Sequence, residues 1–188
     1  ENHFFLQEMI RQESVKRELE VAQKIQRQLL PTDFDSIAGG DVAAFNETHH
    51  RVGGDFYDVI PRGEKGFFLC IADVSGKGIG AALLMASLQA QLRALILSED
   101  DLESVIRKLN RNLLQLTGGD QFVTLFLGHV KVKERTMDYI NAGHNYPFFK
   151  AEGKPARELK EGTIPLGMLE LPNVLQGREL LKGNATAQ

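Results

Sequence analysis

The chain has 188 residues, 43% of them hydrophobic and 25% charged, with a net charge of −3 and an isoelectric point near 6.0. This balance excludes a disordered or collagen-like polypeptide and lacks the basic excess with which nucleic-acid-binding proteins meet phosphates. The one cysteine, Cys70, excludes a disulfide framework, and a reducing, cytoplasmic setting fits. No apolar run approaches the ~20 residues of a membrane span and no secretory leader opens the chain, so membrane insertion is not expected.

Residues 1–30 contain neither glycine nor proline, which predicts one uninterrupted helix ending at Pro31. Val15, Leu19, Ala22, Ile25 and Leu29 recur at helical spacing as a single apolar seam, and five acidic residues balance five basic ones. That neutrality argues against a membrane-surface helix. The seam either docks on its own domain or pairs with a second copy as a signalling linker; it is too short to establish a coiled coil. The expected organisation is a helical linker or dimerisation segment over 1–31 and a globular domain over 32–188.

Short strands follow, predicted over 42–45, 56–60 and 67–72, the last two joined by a hairpin loop through Pro61 and Gly66. Cys70 lies inside a run that reads as a buried strand, where burial raises a thiol pKa, so it is core packing. Ala81, Leu84, Met85, Leu88, Leu92, Leu95 and Ile96 predict a core helix over 80–97. A second helix is expected over 101–116, with Ser98 or Asp100 as its cap and Leu102, Val105, Ile106, Leu109, Leu113 and Leu116 buried. Strands return over 122–132 and 136–141, and 148–151 is read as continuing the same sheet. Strands, two helices and strands again make an α+β domain with antiparallel sheets.

Two acidic segments carry the chemistry. Gly53-Gly54-Asp55-Phe56-Tyr57-Asp58 and Ala72-Asp73-Val74-Ser75-Gly76-Lys77-Gly78 each put an aspartate where an apolar strand meets a glycine-rich turn. Either alone reads equally as an ordinary turn, because Asp and Gly dominate turns for conformational reasons. Together, on the two strands of one hairpin, Asp55 at the start of the first and Asp73 at the end of the second share an edge. An all-oxygen site of this kind suits a hard cation such as Mg2+ or Mn2+.

Other motifs fail. The glycine turn lacks the Ser or Thr that a Walker loop needs after Lys77, and Ala81 occupies the third glycine position of a dinucleotide fingerprint. No histidine makes a zinc spacing with Cys70, and the adjacent His49 and His50 read as solvated loop residues. His144, after Gly143 at another turn, reads either as a residue that fixes that turn or as a peripheral functional group.

Ala22 through Pro31, the two acidic segments, Phe122-Val123-Thr124-Leu125 and Asn141-Ala142-Gly143-His144 occur in the order seen in one bacterial family. From about Glu20 to Gly167 the chain resembles a phosphatase domain of the RsbU and SpoIIE type, in the metal-dependent PPM (PP2C-like) superfamily. The resemblance implies an αββα sandwich of antiparallel sheets flanked by helices, with an N-terminal linker helix and two Mn2+ or Mg2+ ions. It implies that Asp55 binds one ion, that Asp73 bridges both, and that the carbonyl of Val74 contributes. Asp58, a weaker candidate, would act through water or by supporting the direct ligands from behind, and Gly143 and His144 would sit beside an accessory ion. The implied substrate is a phosphorylated STAS-domain anti-anti-sigma factor, with a homodimer formed through the N-terminal helix and a sensor upstream.

In one respect the chain departs from the family. The Thr-Asp-Gly strand expected after Gly162-Thr163-Ile164-Pro165-Leu166-Gly167 is missing, no Asp follows Asp138, and residues from Gly177 resemble the helix that usually comes next. The domain is therefore expected to be incomplete after about residue 171. The competing reading is a catalytically inactive scaffold of the same fold that dimerises through its first helix.

Overall fold

Helix α1 (Asn2–Leu29) runs unbroken to the turn before Pro31, as the absence of helix breakers requires. The computed structural model describes residues 2–34, 37, 39–47, 52–181 and 186–187, and His49 and His50 lie outside them. Most of α1 stands clear of the domain: Phe5, Leu6, Met9, Ile10, Val15, Val21 and Ile25 are each 49% or more exposed. Leu19 and Ala22 are only half-buried, so the seam does not dock on its own domain. The attachment is at the C-terminal end, where Gln26 is buried and Leu30 packs on the core.

Strands β1 (Phe56–Pro61) and β2 (Phe67–Val74) form the expected antiparallel hairpin, with Phe56 opposite Ala72. Helices α2 (Gly78–Ser98) and α3 (Leu102–Thr117) follow. The cap of α3 is Asp101, whose carboxylate accepts the Ser104 N–H at 2.8 Å, rather than Ser98 or Asp100. Next come β3 (Val123–Lys131) and β4 (Thr136–Ala142), then β5 (Phe148–Lys150), β6 (Arg157–Glu158), β7 (Gly162–Thr163), β8 (Gly177–Leu180) and β9 (Thr186–Ala187). The main sheet runs β1-β2-β3-β4, with β7 parallel and β8 antiparallel to β4, and β6-β5-β9 make a second sheet.

Side-chain alternation sorts the layers. Phe56, Ile60, Phe68, Cys70, Ala72 and Val74 face α2 and α3, while Val59, Phe67, Phe126, Met137 and Tyr139 face Phe149 and Leu159 of the second sheet. Burying each of these large side chains contributes roughly 1.5–3 kcal/mol, so both faces of the main sheet are held. Among the described residues the layers are thus helix pair, six-stranded sheet and three-stranded sheet.

Four local expectations are corrected. Residues 42–45 form no strand; Phe45 is 84% exposed and Val42 packs against the cluster of Val59, Phe67 and Tyr139, with no ladder partner. Phe148–Lys150 starts the second sheet instead of extending the first, because the chain turns away after Gly143. Gly177–Leu180 is a strand paired with β4, not a helix. Helix α2 does have the length and apolar composition of a membrane span, but it buries Leu84, Met85, Leu88, Leu92 and Ile96 in the core.

Candidate functional site

Three neighbouring strands deliver polar side chains to one end of the main sheet and to one face of it. The β1–β2 register continues to set Asp55 opposite Asp73, and Asp73 in turn pairs with Thr124 on β3. Positions 55, 57 and 59 share a face with 67, 69, 71 and 73, the face turned away from α2 and α3. Both aspartates reach solvent. Partial burial and the neighbouring Asp73 carboxylate hold the Asp55 carboxyl above the usual aspartate range. Neighbouring carboxylates repel, and a dication between them would satisfy both.

The approach depends on Gly54. A Cβ built there would lie 2.6 Å from the Val74 carbonyl oxygen and 2.9 Å from the Val74 Cβ, so only glycine lets the turn before β1 lie against the end of β2. The turn is also gripped from α1: the Gly53 N–H donates to Gln26 Oε1 at 3.0 Å, and Gln26 Nε2 donates to the Gly53 carbonyl at 2.5 Å. Gln89 of α2 donates Nε2 to the Leu29 carbonyl at 2.8 Å, and the Tyr57 hydroxyl donates to the Pro31 carbonyl at 3.0 Å. These clamps carry no motif in the sequence. The one signal is that buried Gln26 and Gln89 interrupt otherwise apolar helix faces.

His144 lies beside this pair. Its Nδ1 is 2.8 Å from Thr124 Oγ1, and its backbone N–H donates to Asn141 Oδ1 at 2.7 Å. Burial holds the imidazole below its usual pKa, and the Asp73 charge works in the opposite sense. The turn that carries it needs Gly143, whose φ is 68° and whose Cβ would meet Pro165 at 2.4 Å.

Asp58 is not brought to this cluster. It points to the opposite, helix-facing side with Phe56 and Ile60, where Arg93 Nε and Nη2 each donate to its carboxylate at 2.7 Å. Gln89 Nε2 and the Val59 N–H complete its partners at 3.1 and 2.9 Å. It braces α2 against β1. Cys70 is buried and free, and burial pushes its thiol far above the ordinary range. Among the described residues no three His, Cys, Asp or Glu side chains gather as a ligand set. A cation here would rest on Asp55, Asp73, the Val74 carbonyl and water.

The profile of the stage II sporulation protein E (SpoIIE) family matches residues 63–184. The chain is 28% identical over 141 residues to the phosphoserine phosphatase RsbU of Bacillus subtilis (strain 168), a span that covers 75% of this chain and 42% of that protein. It therefore spans less than half the length of this curated relative. The SiaA-PP2C domain of Pseudomonas aeruginosa superposes with a TM-score of 0.77 at 20% identity, over 94% of this chain and 71% of the other. The RsbU and RsbW domains of Rv1364c from Mycobacterium tuberculosis give a TM-score of 0.66 at 25% identity, over 75% and 39%. With the PP2C fold in place and the family profile matched across well over half of its length, the chain belongs to the SpoIIE family.

Proposed function

We propose that this chain is the phosphatase domain of a metal-dependent serine/threonine protein phosphatase whose substrate is a phosphorylated STAS-domain protein in a partner-switching pathway. The observation that carries the reading is the Asp55–Asp73 carboxyl pair at the solvent-open end of two adjoining strands, in a chain related to a phosphoserine phosphatase. The donor set is all oxygen and suits two Mn2+ or Mg2+ ions, which when bound would supply an acidified water and screen phosphoryl charge. Asp73, braced between β1 and β3, serves as the shared anchor and Asp55 as the second. Gly54 sets the distance between them, and Gly143 and His144 form the peripheral wall, with the imidazole oriented by Thr124.

Helix α1 acts as the linker of a homodimer: its apolar side chains from Phe5 to Ile25 are uncovered in the single chain, and its end grips the turn before Asp55. A sensor upstream would work through it.

The test is phosphate release from a phosphorylated STAS-domain protein, with and without Mn2+, by the wild type and by Asp73→Asn. Mn2+-dependent turnover that disappears in Asp73→Asn, with an unchanged circular dichroism spectrum, is expected. Equal turnover by the two proteins refutes the site. A wild type that binds the substrate without turning it over would establish the inactive scaffold instead, the reading that the small number of acidic ligands favours.

A further inference from the structure

Asp55 forms one wall of a cleft of about 460 Å³ whose other walls include Gln23 and Arg27 of α1, Phe45, Asn46 and Tyr57. A second hollow of about 470 Å³ continues from it along α1; the two share Gln23, Arg27, Leu30 and Thr32, and the second adds Lys24. Together they make a trough that leads from the acid pair along the end of the linker helix. Each hollow is within the size range of ligand sites.

The lining is mixed in a particular way. Phe45 and Tyr57 offer aromatic surface, and Gln23 and Asn46 offer amides that both donate and accept, the chemistry that matches a polypeptide main chain. Arg27 stands on the shared wall, is exposed, and has no carboxylate partner among the described residues. Lys24, three residues before it, lies on the same helix face. The acids of the trough are Asp55, which the cations of the proposed function would engage, Glu47 at the near end, and Glu20, which already has a partner.

We propose that this trough seats the polypeptide segment flanking the phosphoserine and that Arg27 selects an acidic side chain on that segment. The proposal rests on the phosphatase reading above and assigns the linker helix a share of the substrate site. A guanidinium paired with a carboxylate in a partly enclosed trough has planar, two-pronged geometry that a lysine cannot reproduce fully. Arg27 is thus a specificity-determining residue.

The experiment measures kcat/KM, with Mn2+, on matched phosphoserine peptides that carry Asp, Ala or Lys at each position near the phosphoserine. The proteins are the wild type, Arg27→Lys, Arg27→Ala and Arg27→Glu. At one position the wild type should favour Asp over Lys about two- to fivefold, mainly through KM, the range of one exposed ion pair. Arg27→Lys should keep part of that preference, Arg27→Ala should erase it, and Arg27→Glu should turn it toward Lys. Turnover with the same flanking preference in wild type and Arg27→Glu overturns the inference alone. Absence of Mn2+-dependent turnover of every peptide and of p-nitrophenyl phosphate by the wild type overturns the phosphatase reading and this one with it.

Discussion

Replacing Gly54 with alanine should separate the acid pair and destabilise the domain. The added Cβ would sit 2.9 Å from the Val74 Cβ, 2.6 Å from its carbonyl oxygen and 3.2 Å from its nitrogen. Carbon atoms rest at about 3.5–4.0 Å, so at least ~0.6 Å of separation is required. Val74 cannot supply it easily, since it is paired with Val123 inside the main sheet. The turn carrying Asp55 must give way instead. Metal–ligand distances tolerate only about ±0.2 Å, so a shift of that size removes Asp55 from joint ligation and should weaken Mn2+ binding at least about tenfold. Overpacking of this kind costs about 1–3 kcal/mol, and for a chain of this length each kcal/mol lowers the melting temperature by roughly 2–4 °C. Calorimetric unfolding without metal and titration with Mn2+ measure the two effects. Gly40→Ala, at a position with nothing within 4 Å, should match the wild type in both. A Gly54→Ala protein that melts and binds Mn2+ like the wild type would refute the claim that this contact sets the Asp55–Asp73 distance.

The raised Asp55 pKa has a definite sign in the metal-free protein. Between the ordinary aspartate value and the raised one the native state holds more protons than the unfolded state. Stability therefore falls as pH rises through that window, and the loss persists at neutral pH. Asp55→Asn should melt higher than the wild type at pH 7 without metal, and lose the stabilisation, about 2.7 kcal/mol at a hundredfold excess over Kd, that Mn2+ gives the wild type. Arg93→Ala should cost about 3 kcal/mol by chemical denaturation, the low end for breaking a buried pair, because Gln89 and the Val59 N–H still serve the Asp58 carboxylate. The Cys70 thiol should resist disulfide reagents at pH 8 in the native protein and react once denaturant is added.

The acid pair was legible because two local patterns agree: an apolar alternation that fixes a hairpin, and aspartates at the ends that the hairpin joins. The same alternation already separates Asp58 from Asp55, since residues three apart on a strand point to opposite faces. Its position in the helix-facing row of Phe56 and Ile60 follows from that parity, whereas its partner Arg93, far along the chain, does not. Residues 42–45 show the converse. Their strand-like composition is real, but a strand exists only where a ladder partner accepts it, and that depends on long-range register. Polar clamps such as Gln26 and Gln89 are still harder to read, because an amide buried in a helix face names no partner until the fold supplies one.

The clamps and Gly54 together link the end of α1 to the turn that carries Asp55. Gln26 grips Gly53 through both its amide oxygen and its amide nitrogen, while Gln89 of α2 and Tyr57 of β1 hold the chain at Leu29 and Pro31, so hydrogen bonds join the end of α1 both to the turn before β1 and to the domain. Both Gln26 bonds end on Gly53, two residues before Asp55, so the position of Gln26 bears directly on the turn that carries this carboxylate. The neighbouring Gly54 already lies against Val74 at the limit of close packing. That packing leaves no room for a side chain at position 54 and limits how much nearer to Asp73 the turn can bring Asp55. On the function proposed above, a signal entering along α1 would reach the acid pair through this turn.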